Sequence, residues 1–215
     1  MNSMHSMNCS DLRHMTLQDI CSYLPPYALP YTAKKKLLLC DRDGVLNEDT
    51  HFPHLMQDLR ILPGAAEALR MFRAAGYNIA VVSNQGGIGM GLYPEADFFT
   101  FNEELCRLLA QEGAYLDRIY WCPHPEGQTD CICRKPKPGM ILRAMADFGV
   151  REEDVLLAGD RFSDVQAASS AHVQGYLLRS GWWRDEKGNP GDWPAADSLR
   201  DLAALKAYAG NDKID

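Results

Sequence analysis

The sequence lacks the features that define several large protein classes. No stretch approaches the roughly 18–20 apolar residues that a membrane span needs. The first residues have neither a basic start nor an apolar segment, so we expect no secretory signal. Lys and Arg total 22 against 29 Asp and Glu, a net charge of −7, and no basic stripe marks a nucleic-acid surface. We therefore expect a soluble cytoplasmic protein that binds neither nucleic acid nor membrane.

Cysteine is too scarce and too unevenly spaced for a disulfide framework. The chain has 215 residues and seven cysteines, of which Cys122, Cys131 and Cys133 fall in one short segment. In a reducing compartment such clustering favours a metal over disulfides.

Composition and proline placement suggest one folded domain with an extension before it. Hydrophobic residues make up 46% of the chain and charged residues 24%, which is ordinary for a globular protein. Residues 1–33 are polar and contain Pro25, Pro26 and Pro30, which prevent a continuous helix. We expect residues 1–33 to lie on the surface of a domain formed by residues 34–215, with a monomer favoured.

Apolar runs alternate with helical patterns along residues 34–215. The predicted strands lie at 37–40, 77–82, 116–121, 155–158 and 176–178. The predicted helices begin near residues 64, 94, 138, 163 and 198. Strands that alternate with helices are joined by crossovers, which gives a mainly parallel sheet. The predicted fold is α/β, a doubly wound three-layer sandwich, and ligands bind such sheets beyond the carboxyl ends of the strands.

Polar residues follow four of these strands where the site is expected. They are Asp41 and Asp43, then Ser83, then Arg134 and Lys135 in the loop after the third strand, and finally Asp160 with Asp164. Paired carboxylates can bind Mg²⁺ or perform nucleophilic and acid–base chemistry, and a nearby cation suits a phosphoryl group. Each piece alone has an ordinary alternative, such as an exposed turn, a solvated basic pair or a first-turn helix charge.

In this order the motifs resemble those of the haloacid dehalogenase (HAD) superfamily of phosphatases. The resemblance covers roughly residues 35–180. It implies that Asp41 is the nucleophile, that Asp43 protonates the leaving alcohol and then activates water, and that Ser83 and Lys135 hold the phosphoryl oxygens. It further implies that Mg²⁺ is bound by Asp41, the Asp43 carbonyl and Asp160, with Asp164 as a supporting carboxylate.

A second metal site is predicted in the cysteine-rich loop. Cys122-Pro-His124 is followed after a short loop by Cys131-Ile-Cys133. Three thiolates and one imidazole fill a tetrahedral zinc shell without an open position, so this Zn²⁺ should be structural. We expect it to order the loop that presents Arg134 and Lys135.

These motifs together look like those of the heptose 1,7-bisphosphate phosphatases and the related histidinol-phosphatase domain. The stretch between Asp43 and Gly64 is too short for a cap domain, as in those compact families. The sequence departs from the heptose enzymes in having His51–Phe52 where Gly-Tyr is usual. Under this resemblance, the residues expected to contact substrate are Arg42, Asp49, Phe52, Asn84, Gln85, Gly86 and Arg134.

The leading interpretation is a Mg²⁺-dependent phosphatase acting on a small phosphorylated sugar, with the 7-phosphate of a heptose 1,7-bisphosphate as the expected target. The first alternative is a histidinol-phosphate phosphatase. A second is a zinc-stabilised binding module on the same fold, although every expected catalytic position is present. A nucleic-acid 3′-phosphatase fits poorly with the net charge of −7.

Overall fold

The computed structural model describes residues 15–29, 34–127, 130–179 and 193–211, with side chains to residue 206. Within these ranges the strands are β1 (Ser22–Tyr23), β2 (Lys36–Cys40), β3 (Tyr77–Asn84), β4 (Arg118–Cys122), β5 (Val155–Gly159), β6 (Gln174–Leu178) and β7 (Ala195–Ala196). The α-helices are α1 (Ala65–Ala74), α2 (Gly86–Gly89), α3 (Glu95–Gln111), α4 (Gly139–Phe148), α5 (Phe162–Ser170) and α6 (Leu199–Asn211). Of the helices described, none is both long and apolar enough to cross a membrane.

The strands form one sheet in the order β1-β4-β3-β2-β5-β6-β7. Every pairing is parallel except that of β1 with β4. The central strand β2 has Leu37, Leu38 and Leu39 at 0% exposure. The unbroken apolar run is what a strand buried on both faces requires. The strand pairings confirm the prediction of a mainly parallel sheet.

Helices cover both faces of the sheet and complete three layers. One apolar core packs α1, α3 and α6 against the sheet, and includes Phe72, Phe98 and Leu202. The other packs α4 and α5 against the opposite face, and includes Met140 and Ala167. The predicted three-layer α/β architecture is therefore confirmed.

All five predicted strands are present, and the described residues add two further strands of two residues each. β1 comes from the segment assigned to the extension, where Ser22 pairs with Tyr120. β7 pairs Ala195 with Leu177. Neither is long enough to show a period of two. The division of the chain at residue 33 stays a prediction.

The end of β3 and the position of the tryptophans complete the description of the fold. β3 continues to Asn84 instead of ending at 82, because Ser83 and Asn84 pair with the end of β4. Trp193 packs against a small core cluster beside α5. Trp182 and Trp183, which have no predicted role, lie outside the described residues.

Candidate active site

A cavity of about 770 Å³ opens where the central strands end. It takes residues from the chain after β2, from the end of β3, from the loop after β4 and from the chain after β5. The lining residues are Asp41, Asp43, Asp49, His51, Phe52, Ser83, Asn84, Gln85, Glu126, Gly127, Arg134, Lys135, Pro136, Lys137, Arg161 and Ser163. The carboxyl ends of parallel strands thus gather the predicted motifs at one edge, as the topology requires.

Asp41 lies on the floor of this cavity directly after β2. Its Oδ1 accepts a hydrogen bond of 2.7 Å from the backbone N–H of Arg42, and its Oδ2 lies 3.0 Å from Lys135 Nζ. Burial raises the pKa of Asp41 to about 6, an effect that the Lys135 charge opposes and that Asp164 reinforces. The carboxylate is oriented by two donors, and it remains on the cavity surface.

Lys135 is 3% exposed and serves as the cation of the cavity floor. Its Nζ pairs with Asp41 and Asp164 and donates to the carbonyl of Val82 at 2.7 Å. Burial by itself lowers the pKa of Lys135, but the two carboxylates outweigh it and raise that pKa overall. Asn84 clamps the backbone, because its Nδ2 donates to the Lys135 carbonyl and its Oδ1 accepts from the Lys135 N–H, both at 3.0 Å.

Three buried carboxylates could hold a divalent cation beside Lys135. Ligand oxygens of Asp41, Asp160 and Asp164 lie within 4.8 Å of one another. Hard carboxylate oxygens are the ligands that Mg²⁺ takes in proteins, and several buried carboxylates need cationic compensation beyond one ammonium. The donor set therefore fits Mg²⁺.

Two glycines permit this close packing of carboxylates. Gly44 has a φ of +81°, and a Cβ there would lie 2.3 Å from Asp160 Oδ2. A Cβ at Gly159 would lie 2.2 Å from the Asp164 side chain. Both positions need the absence of a side chain, and Gly44 also needs the left-handed backbone.

Asp43 has both carboxylate oxygens bound by side chains. Arg42 forms a fork with it, Nε to Oδ1 at 2.8 Å and Nη2 to Oδ2 at 2.9 Å. Asn47 donates to Oδ1 at 2.9 Å, and Gln85 donates to Oδ2 at 3.0 Å. Four donors thus fix the position of this carboxylate at the cavity edge.

Arg42, which was expected to contact substrate, lies behind the cavity and not on its surface. Its residue exposure is 0%, and it is absent from the cavity lining. The guanidinium is turned toward Asp43 and the aromatic rings of α3, with its centre 4.6 Å from the Phe101 ring centroid. Burial lowers the pKa of Arg42, but the Asp43 charge outweighs this and raises it, so the side chain is a buried cation behind the cavity.

Ser83 and Gln85 lie together at the end of β3. The Gln85 side-chain N–H donates to the Ser83 hydroxyl oxygen at 2.9 Å, and its carbonyl oxygen accepts from Tyr93 at 2.8 Å. Tyr93 in turn stacks on His54 with ring centroids 4.5 Å apart. Gln85 therefore lines the cavity and also connects Ser83 to the aromatic pair.

The predicted zinc ligands form one buried group. The ligand atoms of Cys122, His124, Cys131 and Cys133 all lie within 4.8 Å of one another. His124 Nδ1 is 3.3 Å from Cys122 Sγ and 3.2 Å from Cys133 Sγ. Three sulfurs and one imidazole nitrogen at such separations suit a tetrahedral Zn²⁺.

Arg134 extends from this cysteine and histidine cluster into the cavity. Its N–H donates to Cys131 Sγ at 3.3 Å, and its Nη1 donates to the His124 carbonyl at 3.1 Å. The predicted contact residue Gly86 lies beneath it, since a Cβ at Gly86 would be 3.0 Å from Arg134 Nη1. Arg134 therefore contacts the cysteine and histidine cluster and also lines the cavity.

The predicted contact residues Asp49 and Phe52 also line the cavity, in the loop after β2. Phe52 is 46% exposed, whereas Asp49 forms an ion pair of 2.8 Å with Arg161. His51 and Phe52 have φ values of 61° and 57°. This left-handed region is costly for residues other than glycine, so local bonds must hold the loop. One of them is the 3.0 Å bond from the His51 N–H to Asp49.

Sequence reasoning missed several cavity residues, among them Lys137, Arg161 and Glu126. Arg161 follows Asp160 at the end of β5, so its position at a strand end was a usable signal. Lys137 and Glu126 lie in loops, where no periodicity indicates the direction of a side chain.

The sequence is similar to known phosphatases along most of its length. Residues 132–205 match the HAD-hydrolase-like family model. D-glycero-beta-D-manno-heptose-1,7-bisphosphate 7-phosphatase of Pasteurella multocida is 36% identical over 177 residues, which cover 80% of this chain and 96% of the relative. D-glycero-alpha-D-manno-heptose-1,7-bisphosphate 7-phosphatase of Burkholderia mallei is 42% identical over 151 residues, which cover 67% of this chain and 80% of the relative.

A solved structure of a phosphatase is also similar to this chain. The D,D-heptose 1,7-bisphosphate phosphatase of B. bronchiseptica, in complex with magnesium and phosphate, superposes with a TM-score of 0.75 at 31% identity. The superposition covers 81% of this chain and 99% of that one.

Proposed function

The chain belongs to the heptose-bisphosphate phosphatase family of HAD-like hydrolases, and on that basis we propose that it removes the 7-phosphate from D-glycero-D-manno-heptose 1,7-bisphosphate. The observation that carries the proposal is the 3.0 Å pair of Asp41 and Lys135 on the cavity floor. A carboxylate beside a fixed ammonium can attack phosphorus while the ammonium offsets the charge of the phosphoryl oxygens.

The reaction has two steps on this chain's own carboxylates. In the first, an Asp41 oxygen bonds to phosphorus, the P–O bond to the sugar breaks, and Asp43 gives its proton to the leaving alkoxide. In the second, Asp43 takes a proton from water, the water oxygen attacks phosphorus, and the bond to Asp41 breaks to release phosphate. The placement of Asp43 at the cavity edge supports this acid–base role.

Ser83 and Lys135 bind the oxygens of the transferring group. Both line the cavity beside Asp41, and Asn84 supports them by clamping the Lys135 backbone. We assign Asn84 to this supporting role and Gln85 to the orientation of Ser83 and Asp43.

Mg²⁺ is the proposed catalytic metal, held by Asp41, the Asp43 carbonyl and Asp160, with Asp164 in support. When bound, it neutralises charge on the phosphoryl oxygens as a Lewis acid. Zn²⁺ is the proposed structural metal of Cys122, His124, Cys131 and Cys133.

Recognition of the rest of the substrate falls to loops. Arg134 reaches the cavity from the cysteine-rich loop, and Asp49 and Phe52 line it from the loop after β2. We assign Arg134 to an anionic group away from the reacting phosphorus and Phe52 to an apolar face of the sugar. We further propose that residues 34–215 form the phosphatase domain and residues 1–33 an extension, and that the protein acts as a cytoplasmic monomer.

The deciding experiment is phosphate release with Mg²⁺ present. The substrates are both anomers of heptose 1,7-bisphosphate and histidinol phosphate, with Asp41→Asn as the inactive control. Selective release from a heptose bisphosphate supports the proposal, and selective release from histidinol phosphate replaces it with the alternative. No release from any ester would favour a non-catalytic binding module.

A further inference from the structure

Arg42 stands between the two catalytic carboxylates in sequence but is enclosed by protein. Its side chain is 1% exposed, whereas that of Asp43 is 16% exposed. Both of its bonds to Asp43 run from the fork of the guanidinium to the two carboxylate oxygens. Such a bidentate pair fixes the plane of the carboxylate as well as its position.

The same guanidinium reaches two further elements of the site. Nη2 donates to the carbonyl of Pro53 at 3.0 Å and to the side-chain oxygen of Gln85 at 3.2 Å. Pro53 directly follows Phe52 in the loop that also contains Asp49. Arg42 therefore joins Asp43 to the substrate-facing loop and to the end of β3.

Aromatic rings of α3 hold the guanidinium in place. Its central carbon lies 4.6 Å from the Phe101 ring centroid and 5.7 Å from that of Phe98. Cation–π contacts operate within about 6 Å. A buried ion pair is weak evidence for stability, since apolar residues of similar size commonly replace one without loss. The fork, the loop contact and the stacking together indicate a role in the geometry of Asp43.

We propose that Arg42 is a positioning residue that holds Asp43 in place for both of its proton transfers and ties that placement to the substrate-facing loop. This inference rests on the proposed function, because it assigns the acid–base role to Asp43. Arg42 itself does not line the cavity, so in this proposal it acts through Asp43.

The test compares leaving groups that do and do not need a proton. A sugar alkoxide needs the proton of Asp43, whereas p-nitrophenolate leaves without one. Asn47 and Gln85 still hold Asp43 when Arg42 is changed. The variant should therefore lose only part of the rate enhancement that acid–base catalysis supplies, which is typically about 10²–10⁴-fold. In Arg42→Lys we expect the first turnover on heptose bisphosphate to slow by about tenfold or more, with KM changed less than about twofold.

The burst of p-nitrophenol from p-nitrophenyl phosphate should stay within about threefold of the wild-type rate, because no proton transfer limits it. Asp43→Asn should show the same leaving-group pattern. Arg42→Lys combined with Asp43→Asn should then be no slower on the sugar than Asp43→Asn alone, as expected for residues that act as a unit.

Two further variants separate positioning from general support of the fold. Arg42→Met keeps a long stem against Phe101 and removes the fork, so it should reproduce the leaving-group pattern. Arg73→Lys is the matched control, because Arg73 forms a largely buried 2.9 Å pair with Asp117 away from the cavity. It should lower the melting temperature without favouring either substrate.

Equal slowing on both substrates, additive losses with Asp43→Asn, or full activity in Arg42→Lys would overturn the inference. Failure of both Arg42 variants to fold would also overturn it, because Arg42 would then be a stability residue. A wild-type protein that releases no phosphate from either ester would instead overturn the proposed function.

Discussion

Lys135 Nζ lies 3.0 Å from Asp41 Oδ2, and their side chains are 1% and 9% exposed. Two opposite charges at this distance, largely away from water, interact far more strongly than the same pair on a surface. The pair keeps the lysine charged and the aspartate oriented at the place where a phosphoryl group would enter. The activity therefore depends on both members, but in different ways.

Replacing Asp41 with Asn should abolish turnover without unfolding the protein. The amide is nearly isosteric but lacks the anionic oxygen that attacks phosphorus, so we expect kcat to fall by at least about 10³-fold. Asp197→Asn, which alters an exposed carboxylate paired with Arg179, is the control and should retain full activity. Steady-state kinetics with circular dichroism checks this, and near-normal turnover in folded Asp41→Asn would exclude the aspartyl-phosphate step.

The order of polar motifs at the strand ends could be predicted because a parallel sheet leaves little freedom. Once the apolar run of Leu37 to Leu39 indicates a central strand, the residues that follow must lie at the carboxyl edge. Asp41, Ser83 and Asp160 come together there as expected. The zinc ligands were also predictable, because ligand spacing in a short loop is a local property.

Contacts between distant segments could not be read from the sequence. The Asp49–Arg161 pair joins residues 112 positions apart, and nothing local indicates it. Arg42 lies two residues beyond the end of β2, where the alternation of strand faces no longer applies, so the sequence could not distinguish a cavity-facing arginine from a buried one. Its four hydrogen bonds to Asp43, Pro53 and Gln85 depend on how distant segments of the chain meet.

Arg134 and Lys135 should differ in kinetics despite being neighbours. Arg134→Ala should raise KM by about tenfold or more with a smaller change in kcat, because a charge-assisted hydrogen bond is worth about 1.5–3 kcal/mol. Lys135→Ala should instead lower kcat, since its partner is the group being transferred. Steady-state kinetics on the best substrate separates the two. Equal losses of kcat with unchanged KM would place Arg134 in the catalytic centre.

The two metals should respond differently to chelation. Mg²⁺ held by a few carboxylates exchanges readily, so brief treatment with EDTA should remove activity and added Mg²⁺ should restore it. Zn²⁺ in a closed thiolate shell should remain, at about one per chain by metal analysis. Absence of zinc from protein prepared without chelator, with Cys122, Cys131 and Cys133 open to alkylation, would contradict the structural site.

A cysteine variant tests the structural metal separately from catalysis. Cys131→Ala should lose zinc and lower the melting temperature, because the loop then lacks its fourth ligand. Cys106→Ala is the matched control, since Cys106 is similarly buried at 4% exposure but belongs to the apolar core. Its zinc content should be unchanged. Equal zinc loss in both variants would point to general unfolding.

The close approach of Gly44 to Asp160 gives a direct test of the proposed magnesium site. A Cβ at Gly44 would lie 2.3 Å from Asp160 Oδ2, so Gly44→Ala must displace that carboxylate. We expect the Mg²⁺ concentration for half-maximal activity to rise by about tenfold or more, which corresponds to at least about 1.4 kcal/mol of lost binding.

Gly76→Ala supplies the control, because Gly76 has a similar φ of +86° and nothing within 4 Å of the added Cβ. Both variants bear the same backbone cost, on the order of 1 kcal/mol, so both should melt at lower temperature, but only Gly44→Ala should need more Mg²⁺. An unchanged Mg²⁺ requirement in folded Gly44→Ala would remove Asp160 from the metal site.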